Sequence, residues 1–253
     1  MDLTELYKQF QEDDRLFYSQ AANIEYQITM EYILRYAPKT GCILEIGAGT
    51  GAYSISLAKQ GFAVSALELV EHHVAIMKER KTKEMNLDIR QGNALDLSCY
   101  QDNTFDVVLC LGPLYHLAEE TAKRQAIQEA IRICKPGGVL FFAYINHDMV
   151  IVTETMRDLQ FIDDGRYDKE TFQLTDEPFC FLKVREMEQL MLSYPLGFLH
   201  HVAVDGLSEL LGSKINNMSK EQYEQWLRFH RYMCEKPEAL AYSNHGLYVA
   251  KKL

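Results

Sequence analysis

The sequence predicts an α/β protein built on a doubly wound parallel sheet covered by helices on both faces. Three observations carry this. Runs such as Cys42–Ile46 (CILEI), Phe105–Leu111 (FDVVLCL) and Val139–Ile145 (VLFFAYI) are apolar nearly throughout, as strands buried on both faces are. Segments with helical apolar spacing alternate with them, the order of repeated βαβ units. A glycine-rich turn, Leu44–Tyr53 (LEIGAGTGAY), leaves the first run and opens the next helix.

Leu3, Leu6, Tyr7 and Phe10 mark one helical face, and Met30, Ile33, Leu34 and Ala37 mark another that Pro38 ends. Residues 1–38 thus read as an N-terminal helical cap. The core, 39–146, continues after the turn with a helix over Tyr53–Gln60 and a strand over Phe62–Leu67. A helix over Val70–Lys83 follows, with Val70, Val74 and Met77 on one face, and then a weaker strand, Leu87–Gln91. Past Phe105–Leu111 comes a helix, Glu119–Cys134, with Ile127, Ala130, Ile131 and Cys134 facing inward. Lys135-Pro136-Gly137-Gly138 ends it before Val139–Ile145.

In the insertion 147–197, His147–Phe161 reads as helix, Asp163–Glu177 as irregular and Phe179–Leu182 as a short strand. Met187, Leu190, Met191 and Tyr194 mark a further helix. Residues 198–253 hold two late strands, Phe198–Val204 and Gly246–Lys251. Between them Ser219 and Gln222 form a capping box that opens a helix carrying Tyr223, Trp226 and Leu227. So long a connection is read as a helical lid over the substrate. All of 1–253 is read as a single domain.

Composition excludes several functions. The 253 residues include 26 Lys and Arg against 36 Asp and Glu, a net charge of −10, with no basic cluster beyond the helix end Lys78–Lys83. Such a chain repels a phosphate backbone, so no nucleic-acid partner is expected. The six cysteines, Cys42, Cys99, Cys110, Cys134, Cys180 and Cys234, show neither a C-x-x-C pair nor zinc spacing. No metal ligand set such as H-E-x-x-H occurs, and His200 and His201, adjacent in a strand, point to opposite faces. The first residues, MDLTELYKQF, are acidic and amphipathic, and no apolar run reaches membrane-spanning length. No membrane association and a cytoplasmic location are expected.

Gly47, Gly49 and Gly51 let the backbone turn tightly and approach a ligand, while the next helix offers free N–H groups. Glu68 ends the second strand, 19 residues after Gly49, where a carboxylate can accept from both hydroxyls of a ribose. These features suit a nicotinamide dinucleotide, since Gly47 to Ala52 satisfies G-x-G-x-x-A. They equally suit an amino-acid-bearing nucleoside.

Five segments resemble, in order, the motifs of the class I S-adenosylmethionine (SAM)-dependent methyltransferases. LEIGAGTGAYS is similar to their E/D-x-G-x-G-x-G turn and Glu68 to their ribose-binding acid. Gly92-Asn93-Ala94 is similar to the turn against adenine, FDVVLCLGPLYHL to the fourth-strand segment, and KPGGVLFF to the lead into the fifth strand. The resemblance runs from about Thr40 to Ile145. It implies a seven-stranded sheet whose last two strands form an antiparallel hairpin, and SAM as cofactor, with S-adenosylhomocysteine as product.

By resemblance the cofactor-binding residues are Glu45, Gly47, Ala48, Gly49, Gly51, Glu68, Leu69, Asn93, Ala94, Leu111 and Gly112. Tyr18, where helical periodicity breaks, is added as an aromatic that can meet the carboxylate or sulfonium. Tyr115 and His116 follow the strand that ends beside the methyl group and are the catalytic candidates, His116 as a proton acceptor. Packing on the cofactor is the alternative for both. His72 and His73 open the helix after Glu68 and read as a solvated helix start, contact with the adenosine being the alternative. The expected activity is in-line methyl transfer to a small molecule, since the D/N-P-P-Y/F of nucleic-acid amino-methyltransferases is absent. A dinucleotide oxidoreductase and a non-catalytic SAM-binding module are the competing readings.

Overall fold

The computed structural model describes residues 15–175 and 179–253, so the first predicted helix (Leu3–Phe10) lies outside the described residues. The first described helix, α1 (Gln20–Tyr36), is capped by the Ser19 side chain, which accepts from the Ala22 N–H. Its buried residues include Ile24, Ile28 and Ile33, whereas Leu34, expected inside, is 38% exposed because that face runs one position aside.

Then the alternation follows: β1 (Cys42–Ile46), α2 (Ala52–Lys59), β2 (Ala63–Glu68), α3 (Glu71–Arg80), β3 (Leu87–Gln91) and β4 (Phe105–Cys110). A 3-10 turn, Pro113–His116, leads to α4 (Glu120–Ile133) and β5 (Cys134–Ile145). The remainder is α5 (His147–Arg157), α6 (Val184–Leu192), β6 (Leu196–Ala203), α7 (Gly212–Ile215), α8 (Lys220–Met233), α9 (Pro237–Leu240) and β7 (His245–Lys252).

The seven strands form one sheet in the order β3-β2-β1-β4-β5-β7-β6. The pairs among the first five strands are parallel, and β7 runs antiparallel to both β5 and β6. Consecutive residues serve opposite faces. Ile43, Val107, Leu109 and Phe141 join one core with α1, and Leu44, Val108, Leu140 and Phe142 join the other with α4 and α6. Strand order reverses at β1, so β1 and β4 open a crevice at their carboxyl ends.

Two local expectations change, and a third holds. Cys134 is the first residue of β5, pairing with Phe105, so Lys135–Gly138 bulge within the strand instead of ending the helix. The bulge is held by Lys135, whose ammonium lies 2.9 Å from both Asp106 oxygens. Phe179–Leu182 is not a strand; it makes a single parallel bridge, Asn146 to Leu182, there being no further strand edge at that point. His200 and His201 do face opposite ways: His200 bonds Tyr36 and Glu235, His201 bonds Tyr144 and Glu188.

The helices between β6 and β7 pack on the outside of α1. Tyr223 accepts from Gln27 and donates to the Gln20 carbonyl, Arg231 pairs with Glu31, and Ile215, Leu227 and Cys234 are buried in α1's core. Removing Ser213–Ala241 would therefore open the core as well as any lid. No described helix is long and apolar enough to cross a membrane, and none of the six cysteines is in a disulfide.

Candidate active site

The crevice holds a cleft that opens to solvent. The glycine turn supplies Gly47 and Gly49; β2 and the start of α3 supply Glu68, Leu69, Val70 and His73. The turn after β3 gives Gly92, Asn93 and Ala94, and the segment after β4 gives Gly112, Pro113, Tyr115, His116 and Leu117.

The turn has its shape because Gly47, Gly49 and Gly51 all take positive φ, at +71°, +54° and +89°. The Gly47 and Ala48 N–H groups both donate to the Leu67 carbonyl, at 2.8 and 3.1 Å, which fastens the turn to β2. A Cβ on Gly47 would sit 2.9 Å from Pro113, and one on Gly112 would sit 3.2 Å from the Gly47 carbonyl. The two loops facing the ligand thus touch each other through positions without side chains.

Glu68 is buried, yet its carboxylate faces the cavity. One oxygen accepts from the Gly49 N–H at 2.8 Å and the other from the Val70 N–H at 2.8 Å. Burial would raise this carboxyl, but His73, 3.7 Å away, and the two backbone N–H groups together hold it below the ordinary carboxylate range. It stays ionised with acceptor capacity remaining. Asn93 turns its side-chain oxygen onto the Leu95 N–H at 3.0 Å, which leaves its amide N–H groups for a ligand.

Five of the anticipated binding residues do not line the cavity. Glu45 is 2% exposed, and its carboxylate accepts from the backbone N–H and hydroxyl of Ser54, in the first turn of α2. It braces the glycine turn from beneath, and burial, opposed by the Ser54 bonds, pushes it up to about 8. Gly51 is the helix cap, its Cβ position filled by Met77 and Ile55. Ala48 is buried in the core and Leu111 packs against it. Tyr18 is 73% exposed, standing before α1 and away from this lining. His73, expected at a solvated helix start, is instead 3% exposed and stands in the wall. The signal was present: Val70, His73, Val74 and Met77 follow i, i+3, i+4, i+7, so His73 belongs to the buried face of α3.

Tyr115 and His116 are together in the wall, ring centroids 4.8 Å apart. Phe179 lies 5.2 Å from His116, and the Cys180 N–H donates to the Tyr115 carbonyl at 2.8 Å, so the 179–182 segment closes one side of the mouth.

The wall contains no Lys or Arg among the described residues; its polar groups are Glu68, His73, Asn93, Tyr115 and His116. The residues there that could hold a nucleoside are Glu68, Leu69, Asn93 and Ala94. Residues 44–142, from β1 through β5, match the family model described as a methyltransferase domain. These residues carry the likeness to a methyltransferase domain.

The ubiquinone biosynthesis O-methyltransferase of Xanthomonas axonopodis pv. citri is 31% identical over 121 residues, 47% of this chain and 49% of that one. The chain thus matches about half the length of that curated relative. A SAM-dependent methyltransferase from Methanosarcina mazei shares the fold at a TM-score of 0.58 with 18% identity, over 88% of this chain and 97% of that one. The geranyl diphosphate C-methyltransferase of Streptomyces coelicolor, solved with Mg2+, geranyl diphosphate and S-adenosylhomocysteine, shares it at 0.59 with 13% identity, over 90% and 79%. The chain therefore has the seven-stranded sheet and terminal hairpin that its motifs implied.

On the same carboxyl edge, beyond β5, the domain holds a second polar group. Arg15 grips Glu25 through two bonds of 2.7 and 2.9 Å, Glu25 lies 3.6 Å from His245 Nδ1, and Nδ1 lies 2.7 Å from Asp205 Oδ2. Burial would lower the His245 imidazole, but Glu25 and Asp205 raise it to about 9. Burial would raise Glu25, but Arg15 and His245 bring it to about 2.

Two losses of stability with rising pH follow. A folded-state value raised to about 9 means His245 adds stability that is complete below its unfolded value and vanishes as pH rises through 9. Glu45, raised to about 8, must lose a proton from a buried site, so it lowers stability progressively from its unfolded value near 4.5 up to 8. Thermal melts should show His245→Gln flattening the fall between pH 7 and 10, and Glu45→Gln flattening it between pH 5 and 8. Parallel curves for wild type and variants would contradict both assignments.

Proposed function

We propose that this chain transfers a methyl group from SAM to an oxygen atom of a small molecule. The observation carrying the reading is the Glu68 carboxylate: buried, ionised and facing the cavity between the glycine turn and the Asn93 turn, within the stretch that matches a methyltransferase domain. Oxygen as the attacking atom is supported by the O-methyltransferase named among the relatives.

When bound, the cofactor supplies a sulfonium methyl whose thioether leaving group needs no acid. The chain's residues then have positioning and desolvation to perform. Glu68 accepts ribose hydroxyls, and the Gly47–Gly49 backbone allows the amino-acid end to lie close. Tyr115, His116 and Phe179 form an aromatic wall that keeps water from the methyl. Glu45 acts through the turn it braces.

Calorimetric titration tests this. S-adenosylhomocysteine should bind and NADH should not, and labelled methyl should then pass from SAM to an acceptor in a screen of hydroxylated small molecules. Binding of NADH alone would turn the reading to an oxidoreductase. Binding of S-adenosylhomocysteine with no transfer to any acceptor would turn it to a binding module.

A further inference from the structure

Helix α8 carries two apolar stripes. Tyr223, Leu227 and Cys234 pack toward α1. Trp226, Phe229, His230 and Met233, spaced i, i+3, i+4, i+7, make a second face. A stripe at that spacing is ordinarily core. Here it lines a second cleft, closed on the other side by Gly206 and Leu207 after β6 and by Ala239 of α9. Phe229 is 49% exposed and Tyr242, also in the wall, 57%, so the aromatic lining reaches open solvent.

This cleft is separate from the one at the glycine turn. The two share no lining residue. Ala203, which ends β6 and lines the second cleft, stands three strand positions from β4, about 14 Å across the sheet. No Asp, Glu, Lys or Arg lines the second cleft, so its wall offers nothing to a charged ligand.

Its chemistry is concentrated in His230, which is 5% exposed. Nε2 lies 3.0 Å from the Val204 carbonyl, and a carbonyl only accepts, so Nε2 carries the proton. Burial keeps the imidazole below its ordinary range although the Val204 bond opposes it, so the ring is neutral and Nδ1 bears a lone pair. Nδ1 has no hydrogen-bond partner among the described residues. A Cβ on Gly206, at φ +50°, would meet the ring at Cε1, 2.8 Å away, and at Nδ1, 3.1 Å away. The Nδ1 edge thus faces the wall position that has no side chain, and a ligand filling that space meets the lone pair. A buried acceptor without a donor is unfavourable, so a ligand that supplies one is selected over its isostere that does not.

We propose that this second cleft binds an uncharged, flat aromatic molecule bearing an N–H or O–H donor, its rings among Trp226, Phe229 and Met233 and its donor on His230 Nδ1. The tilted Trp226 and Phe229 rings, 5.8 Å between centroids, offer aromatic faces, and the Met233 thioether adapts to the ligand's edge. The site is independent of methyl transfer.

The test uses the full chain with indole, and 1-methylindole as the same rings without the donor. Calorimetry should show indole binding one site, whether or not S-adenosylhomocysteine is present, and 1-methylindole binding at least fivefold more weakly. Trp226 is the single tryptophan of the chain, so one indole N–H resonance of the protein reports on the cleft and should move with indole. In a histidine-labelled sample the His230 Nδ1 resonance should move with indole and not with 1-methylindole. Ala239→Phe, which fills the cleft from its wall, should abolish both shifts and leave the S-adenosylhomocysteine affinity within twofold of wild type. The comparison of the two ligands on wild type stands even where that variant fails to fold. No binding of indole at millimolar concentration, equal affinity for the two ligands, or unchanged binding by Ala239→Phe would each overturn the proposal. So would a wild-type dimer that Ala239→Phe dissociates, since the cleft would then hold a second copy of the chain.

Discussion

Glu68→Ala is expected to lower the affinity for S-adenosylhomocysteine at least a hundredfold, a loss of roughly 2.7 kcal/mol or more. Two effects combine. The ribose loses a charge-assisted acceptor, typically about 1.5–3 kcal/mol. The Gly49 and Val70 N–H groups, each 2.8 Å from a Glu68 oxygen, lose their partner, so the turn and the start of α3 relax away from the ligand. Glu68→Gln retains one acceptor and should fall between. Calorimetry on both variants, with circular dichroism to confirm folding, decides it; an affinity within threefold of wild type for Glu68→Ala would refute the assignment.

The largest effect on stability is expected at Gly246. It sits opposite Tyr144 in the β5–β7 pairing, and a Cβ there would lie 2.2 Å from the tyrosine ring. Tyr144 cannot swing away freely, since it is buried and its hydroxyl bonds His201 Nε2 at 2.9 Å. Gly246→Ala should therefore cost about 3 kcal/mol, the upper end for overpacking. Gly61→Ala provides the comparison: nothing lies within 4 Å of its Cβ position, and its φ of +90° alone should cost about 1 kcal/mol. Urea unfolding of both variants measures the difference, and equal midpoints would show that the Tyr144 contact relaxes without cost.

Much of this was legible in the sequence for identifiable reasons. A buried parallel strand has to be apolar on both faces, so β1, β4 and β5 announced themselves, and a tight turn at positive φ has to be glycine. Glu68, Leu69, Asn93, Ala94 and Gly112 followed because they end strands at a switch point. Tertiary packing hid the rest. The Lys135–Gly138 segment carries turn residues, yet the Asp106–Lys135 pair draws it into β5. Glu45 alternates correctly for a strand, but only the fold shows that Ser54 sits over its carboxylate. His245 and Glu25 are 220 positions apart, and no local pattern connects them.

The position of β7 has a consequence for synthesis. It lies between β5 and β6, although it follows both in the chain. Until His245 to Lys252 leave the ribosome, the Val139–Ile145 edge of β5 has no neighbour on that side. At a translation speed of 5–20 residues per second, the roughly 100 residues from Ile145 to His245 take about 5–20 s. Through that interval a run as apolar as VLFFAYI is an open template for pairing with another nascent chain. Slow elongation past residue 145 should therefore reduce the soluble yield of this protein more than equal slowing before it.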